Sequence, residues 1–197
     1  MNRQDLKARS WAQVKDKIGI LFIITLIIAL ITVAASFVLS IIPVVGPSLV
    51  TFLVAPAFAL SSARVYLNVV AGGQPEAKDS FYGFEDFWSA VKLNFFVGLY
   101  TFLWSLLFVI PGIIKTISYS MSFYILAENK GKPALECIEE SKRMTNGHKM
   151  DLFVLGLSFI GWILLGYITC GIGYIWIMPY MEATFVNAYH SLKPIEL

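Results

Sequence analysis

The chain has 197 residues, of which 57% are apolar and only 14% charged, whereas a soluble domain carries about a quarter charged residues. With a mean hydropathy of +0.71, such a chain does not have the polar groups to cover its own surface, which points to an integral membrane protein and excludes disordered, coiled-coil, collagen-like and disulfide-scaffold classes. A formal charge of +2, with no basic patch interleaved with aromatics, speaks against nucleic acid as a partner.

The N-terminal segment is basic, with Arg3, Lys7, Arg9, Lys15 and Lys17, and suits contact with anionic headgroups. Leu6, Trp11, Val14 and Ile18 roughly share a helical face, on which Lys7 intrudes. From Ile18 to Ala63 there is no charged residue. As one helix that run would measure about 69 Å at 1.5 Å per residue, against a hydrocarbon core of about 30 Å. It must turn back, and Pro43-Val44-Val45-Gly46-Pro47 is the natural place. The part before Pro43 exceeds the apolar stretch of a cleaved leader and reads as a retained helix.

The same pattern recurs twice. Pro111-Gly112 divides one apolar stretch into spans near 89–110 and 113–127, and Thr169–Gly173 divides another into spans near 151–169 and 174–190. The predicted fold is all-α. It is a single polytopic membrane bundle of six transmembrane helices in three tight hairpins, near 18–70, 89–127 and 151–190, with cytosolic amphipathic helices between them. A weak repeat accompanies this, since Lys17-Ile18-Gly19, Lys92-Leu93-Asn94 and Lys149-Met150-Asp151 each enter a hairpin. The acidic, aromatic stretch Phe81–Trp88 before the third span fits an interfacial anchor.

Charge sets the expected orientation. None of the three tight turns contains Lys or Arg, and all fifteen cations except Arg64 and Lys115 fall on the opposite side. Positively charged loops stay in the cytoplasm, so both termini and both long connections are expected there, in a plasma membrane. The second connection, from Pro133 to Gly147, reads as an amphipathic helix. Ala134, Leu135, Cys137, Ile138, Ser141 and Met144 lie on one half of it, and Glu136, Glu139, Glu140 and Arg143 on the other. Leu135, Ile138, Met144 and Arg143 are the expected interfacial or partner surface.

Charges inside a bilayer are costly and mark candidate sites. Arg64 and Glu182 lie at similar depths in the second and sixth spans, which makes a pair possible. Asn68 and Asn187 are candidates for bonds between helices. Lys115 is expected near the outer boundary, snorkelling outward. No catalytic constellation, phosphate loop or metal-ligand spacing occurs, and Cys137 and Cys170 fall on opposite sides of the expected bilayer. No cofactor, metal or catalytic residue is therefore expected.

The stretch from Phe108 to Asn129, Glu140-Ser-Lys-Arg-Met-Thr-Asn-Gly-His-Lys149, and Leu157-Ser-Phe-Ile-Gly-Trp162 resemble an uncharacterised family of six-helix integral membrane proteins, found mainly in Gram-positive bacteria. That family is distantly similar to the membrane region of some glycerophosphodiester phosphodiesterases, which is not their catalytic part. The resemblance implies a bacterial plasma-membrane protein and transfers no activity. The expected role is non-enzymatic, organising the envelope or supporting a membrane-protein partner or homo-oligomer among the lipids. The alternative is a small transporter or channel that uses Arg64 and Glu182.

Overall fold

The structure, a computed structural model, describes residues 3–39, 50–107, 109–169 and 171–193. Among these residues all regular structure is helical. The helices are α1 (Arg3–Val14), α2 (Ile18–Leu39), α3 (Ala55–Val70), α4 (Tyr82–Glu85), α5 (Phe87–Leu107), α6 (Val109–Tyr119), α7 (Ser122–Glu128), α8 (Ala134–Thr145), α9 (Lys149–Leu157), α10 (Ile160–Ile168) and α11 (Tyr174–Leu192). Three continuous helical stretches are long and apolar enough to cross a membrane: Arg3–Phe37, Phe52–Val70 and Lys149–Ile168. Helices α5 and α11 are of comparable length, 21 and 19 residues, but polar side chains such as Lys92, Asn94 and Glu182 interrupt them.

The turns bear out part of the expected punctuation. The bend at Thr169–Gly173 is present, with Gly171 at a φ of +90°, a backbone region that glycine enters without a Cβ penalty. The break expected at Pro111-Gly112 falls earlier. α5 ends at Leu107 and α6 begins at Val109, which leaves Pro111 in the first turn of α6. A helix leaves its first N–H groups without internal partners, so proline there costs no helical hydrogen bond. The turn expected at Pro43–Pro47, the start of the second span at Ser48, and Cys170 lie outside the described residues.

One packing rule recurs around the molecule. A short helical segment precedes each predicted hairpin and lies on the second arm of another. α1 packs on α11, the 3₁₀ turn Ala77–Phe81 with α4 packs on α3, and α8 packs on α6 and α7. A serine hydroxyl sits in each contact. Ser10 Oγ accepts from Asn187 Nδ2 at 3.0 Å, and Ser61 Oγ accepts from the Gly83 N–H at 2.8 Å. Ser141 Oγ accepts from the Met121 N–H at 3.2 Å and donates to the Ser118 carbonyl at 2.7 Å. The first segment thus closes on the last helix, and the buried residues Val14, Leu60, Val69, Met121, Ile125, Leu155 and Tyr189 form one cluster between them.

The connecting helix α8 is present, with Pro133 as its N-cap. Its buried stripe is Ala134, Cys137, Ile138, Ser141, Met144 and Thr145. Ile138 and Met144, expected on an interfacial or partner surface, are covered by the bundle itself, whereas Leu135 is 49% exposed. At 100° per residue, Leu135 falls on the rim of this stripe beside Lys142, and Thr145 takes its place in the interior. A similar correction applies to α1, where Leu6, Ser10 and Val14 are buried and Trp11 is exposed, edge-on to Tyr180.

Candidate functional site

The polar residues within the predicted spans do not gather into one ion pair. The Arg64 guanidinium is held on the surface of α3. Its Nη1 donates to the Ala127 carbonyl at 3.3 Å, and its Cζ lies 5.3 Å from the centre of the Tyr82 ring. Glu182, on α11, accepts a hydrogen bond from the Tyr124 hydroxyl of α7 at 3.2 Å. The ion pairs among the described residues include neither of the two. Equal depth along two helices brings charges together only if their faces also meet, and Arg64 points towards α4 and the end of α7.

Tyr124 is the partner that sequence reasoning missed. A tyrosine in an apolar run reads as core or as an interfacial ring, and only its register against Glu182 reveals a donor. Tyr66 joins the same cluster from α3. It is buried in the core that Tyr189 also enters. The Tyr124 ring lies 5.7 Å from that of Tyr189. The Tyr189 hydroxyl in turn donates to Glu128 Oε2 at 2.6 Å, and Lys193 Nζ donates to the same oxygen at 2.5 Å. The Tyr124–Glu182 bond and the Tyr189–Glu128–Lys193 group therefore lie side by side, joined by the contact between the two tyrosine rings.

Glu128 lies at the end of α7, beside the second connection. Burial pushes its carboxyl up, but the bonds from Lys193 and Tyr189 and the Lys193 charge outweigh this and hold it below the ordinary carboxylate value. A depressed folded pKa stabilises the fold above the unfolded value of about 4.3, and that contribution is lost as the pH falls through the folded value. Glu128→Gln should therefore lower stability by about 1 kcal/mol near neutral pH, discounted because the group is partly exposed. Unfolding midpoints of wild type and variant, measured in detergent against pH, should converge below about pH 4.

The two asparagines differ. Asn187 does bond between helices, its Nδ2 donating to Ser10 Oγ at 3.0 Å and to Gln13 Oε1 at 2.7 Å, and so fastens α1 to α11. Asn68 stays local, with Nδ2 3.5 Å from the Gln74 carbonyl just after its own helix.

Lys115 is the clearest displacement from expectation. Its ammonium lies 4.3 Å from the centre of the Trp104 ring, in a cavity it shares with Lys142, Arg143 and Lys149. The chain turns at Ser120-Met121, between α6 and α7, and α8 packs on both helices. Counting 1.5 Å per residue along one straight helix therefore placed Lys115 too far from the second connection. Of the predicted surface residues, Arg143 and Leu135 are exposed, while Ile138 and Met144 are internal.

Comparison with known proteins gives one result. The family described as protein of unknown function (DUF975) matches the chain over residues 1–118 and again over residues 106–196. No curated protein and no solved structure matches it.

Proposed function

The chain belongs to the family described as protein of unknown function (DUF975), and from that premise we propose a multi-pass plasma-membrane protein with a structural or accessory role. In this reading the single membrane domain crosses six times in three hairpins, with both termini in the cytosol. It organises the envelope or supports a partner complex, without catalysis. The observation that carries this is how the intramembrane polar groups are used. Glu182 is bonded to Tyr124, Asn187 to α1, and Arg64 to the Ala127 carbonyl, so each joins one helix to another. Polar side chains that tie helices together in this way hold a bundle in one arrangement.

The Tyr124–Glu182 bond beside the Tyr189–Glu128–Lys193 group favours a second reading, a proton-coupled transporter, because neighbouring ionisable groups inside a bundle occur in relays. One experiment separates the two. Purified protein in sealed liposomes with a pH-sensitive dye inside should show no proton flux above protein-free liposomes under an imposed gradient. A flux that Glu182→Gln abolishes while leaving the fold intact would establish the relay instead.

The threading has its own test. Ile172 is exposed in the third turn and Glu136 is exposed on α8. In a background with Cys170 replaced by serine, Ile172→Cys should react with an impermeant maleimide in intact cells, and Glu136→Cys should react only after lysis. The native Cys137 should stay silent in both. It is fully buried, and burial is the main cause that pushes its thiol up to about 11, where almost no reactive thiolate forms at neutral pH. Labelling of Glu136→Cys from outside would reverse the orientation.

A further inference from the structure

Two adjoining cavities lie between α6 and the outer edge of α8, and both are lined by Lys115, Glu139 and Lys142. One, of about 250 Å³, is polar, and Ser118, Arg143, Asn146 and Lys149 complete it. Four cations there face the single carboxylate of Glu139, and none of the four forms an ion pair with a described residue. Gathering like charges without a counterion is unfavourable, so the site favours an anion. The other cavity, of about 370 Å³, adds Tyr100, Trp104, Tyr119, Leu135 and Ile138. Trp104 and Leu135, which line it, are 40% and 49% exposed.

A basic recess continuous with an aromatic, apolar one fits a ligand that is anionic at one end and hydrocarbon at the other. We propose that this cleft binds an anionic phospholipid, with the headgroup phosphate among Lys115, Lys142, Arg143 and Lys149 and an acyl chain along Trp104, Tyr100 and Leu135. The chemistry of each part agrees. Ammonium and guanidinium groups make charge-assisted bonds to phosphate oxygens, basic pockets between membrane helices take lipid headgroups, and tryptophan and tyrosine settle at the interface. Lys115 explains itself in the same terms. Trp104 holds its ammonium in the cleft rather than letting it reach away from the bundle.

The proposal rests on the reading of the chain as a membrane protein, but not on its threading or its role. The test uses the full chain in a neutral detergent, with native mass spectrometry and thermal unfolding after addition of phosphatidylglycerol, phosphatidylcholine or inorganic phosphate. Phosphatidylglycerol should be retained as a discrete adduct and raise the unfolding midpoint, and the other two should do neither. K142Q/R143Q should weaken that binding at least tenfold, whereas K78Q/K92Q, which removes the same charge elsewhere, should leave it unchanged. Equal retention of phosphatidylcholine, an equal effect of inorganic phosphate, or no loss in K142Q/R143Q would each overturn the lipid site. If K142Q/R143Q fails to fold, the comparison of the three ligands on the wild type decides. Failure of the membrane reading would show separately, as chain released from cell membranes by alkaline carbonate.

Discussion

Replacing Gly83 by alanine should lower stability by about 3 kcal/mol or more, beyond the usual cost of an overpacked core. At about 2–4 °C per kcal/mol for a chain of this size, the unfolding midpoint in detergent should fall by roughly 6–12 °C. The reason is a backbone-to-backbone approach. A Cβ at position 83 would stand 1.8 Å from the Ala57 carbonyl oxygen and 2.6 Å from its carbon, so no side-chain rotation relieves the clash. α4 would have to lift off α3, breaking the bond from the Gly83 N–H to Ser61 Oγ, a buried hydroxyl that itself donates to the Ala57 carbonyl at 3.1 Å. Gly98 supplies the control. A Cβ there meets nothing within 4 Å, and alanine in an open helical position gains about 0.5–1 kcal/mol over glycine. The same substitution should therefore destabilise at 83 and stabilise slightly at 98. Equal midpoints for the two variants would show that α4 does not sit against α3.

The hairpin turn at Thr169–Gly173 and the connecting helix α8 were legible because each depends on local chemistry. Glycine and proline mark chain reversals, and a half-apolar, half-charged stretch of one helix length has one way to pack. The partners of the polar residues were not legible, because they depend on rotation and on bends between helices. Glu182 was identifiable as costly, but its donor Tyr124 lies 58 positions away on a helix whose direction changes at Ser120-Met121. That bend also carried Lys115 into the cluster with Lys142 and Lys149, where a straight span would have kept them apart. Leu135 shows the same limit on a smaller scale. A half-circumference of α8 is apolar in sequence, but neighbouring helices cover only a narrower stripe of it, so the residue on the rim stays outside. Gly83 looked like part of an aromatic anchor, and nothing in the sequence Phe81–Trp88 shows that a carbonyl lies against it.

The contact between Glu182 and Tyr124 gives an asymmetric result when either partner is changed. Tyr124→Phe should destabilise the protein by roughly 2–3 kcal/mol, because it removes the donor and leaves a half-buried carboxylate that water does not reach freely. Glu182→Gln should cost under about 1 kcal/mol, because the amide oxygen still accepts from the Tyr124 hydroxyl and no charge is left without a partner. Had Arg64 been the partner, the order would be reversed, since neutralising Glu182 would strand a guanidinium in the bundle. Arg64→Met should instead be mild, because the Ala127 carbonyl it bonds also lies 3.5 Å from the Tyr82 hydroxyl. The double variant Tyr124→Phe/Glu182→Leu should recover much of the loss of Tyr124→Phe, as replacing both members with apolar groups removes the unpaired acceptor. Thermal unfolding of wild type, Tyr124→Phe, Glu182→Leu and the double variant in one detergent closes the cycle, with Glu182→Gln and Arg64→Met measured beside them. If Glu182→Gln proves more damaging than Tyr124→Phe, the carboxylate depends on a cation and not on the tyrosine hydroxyl, and the Tyr124–Glu182 bond between α7 and α11 is wrong.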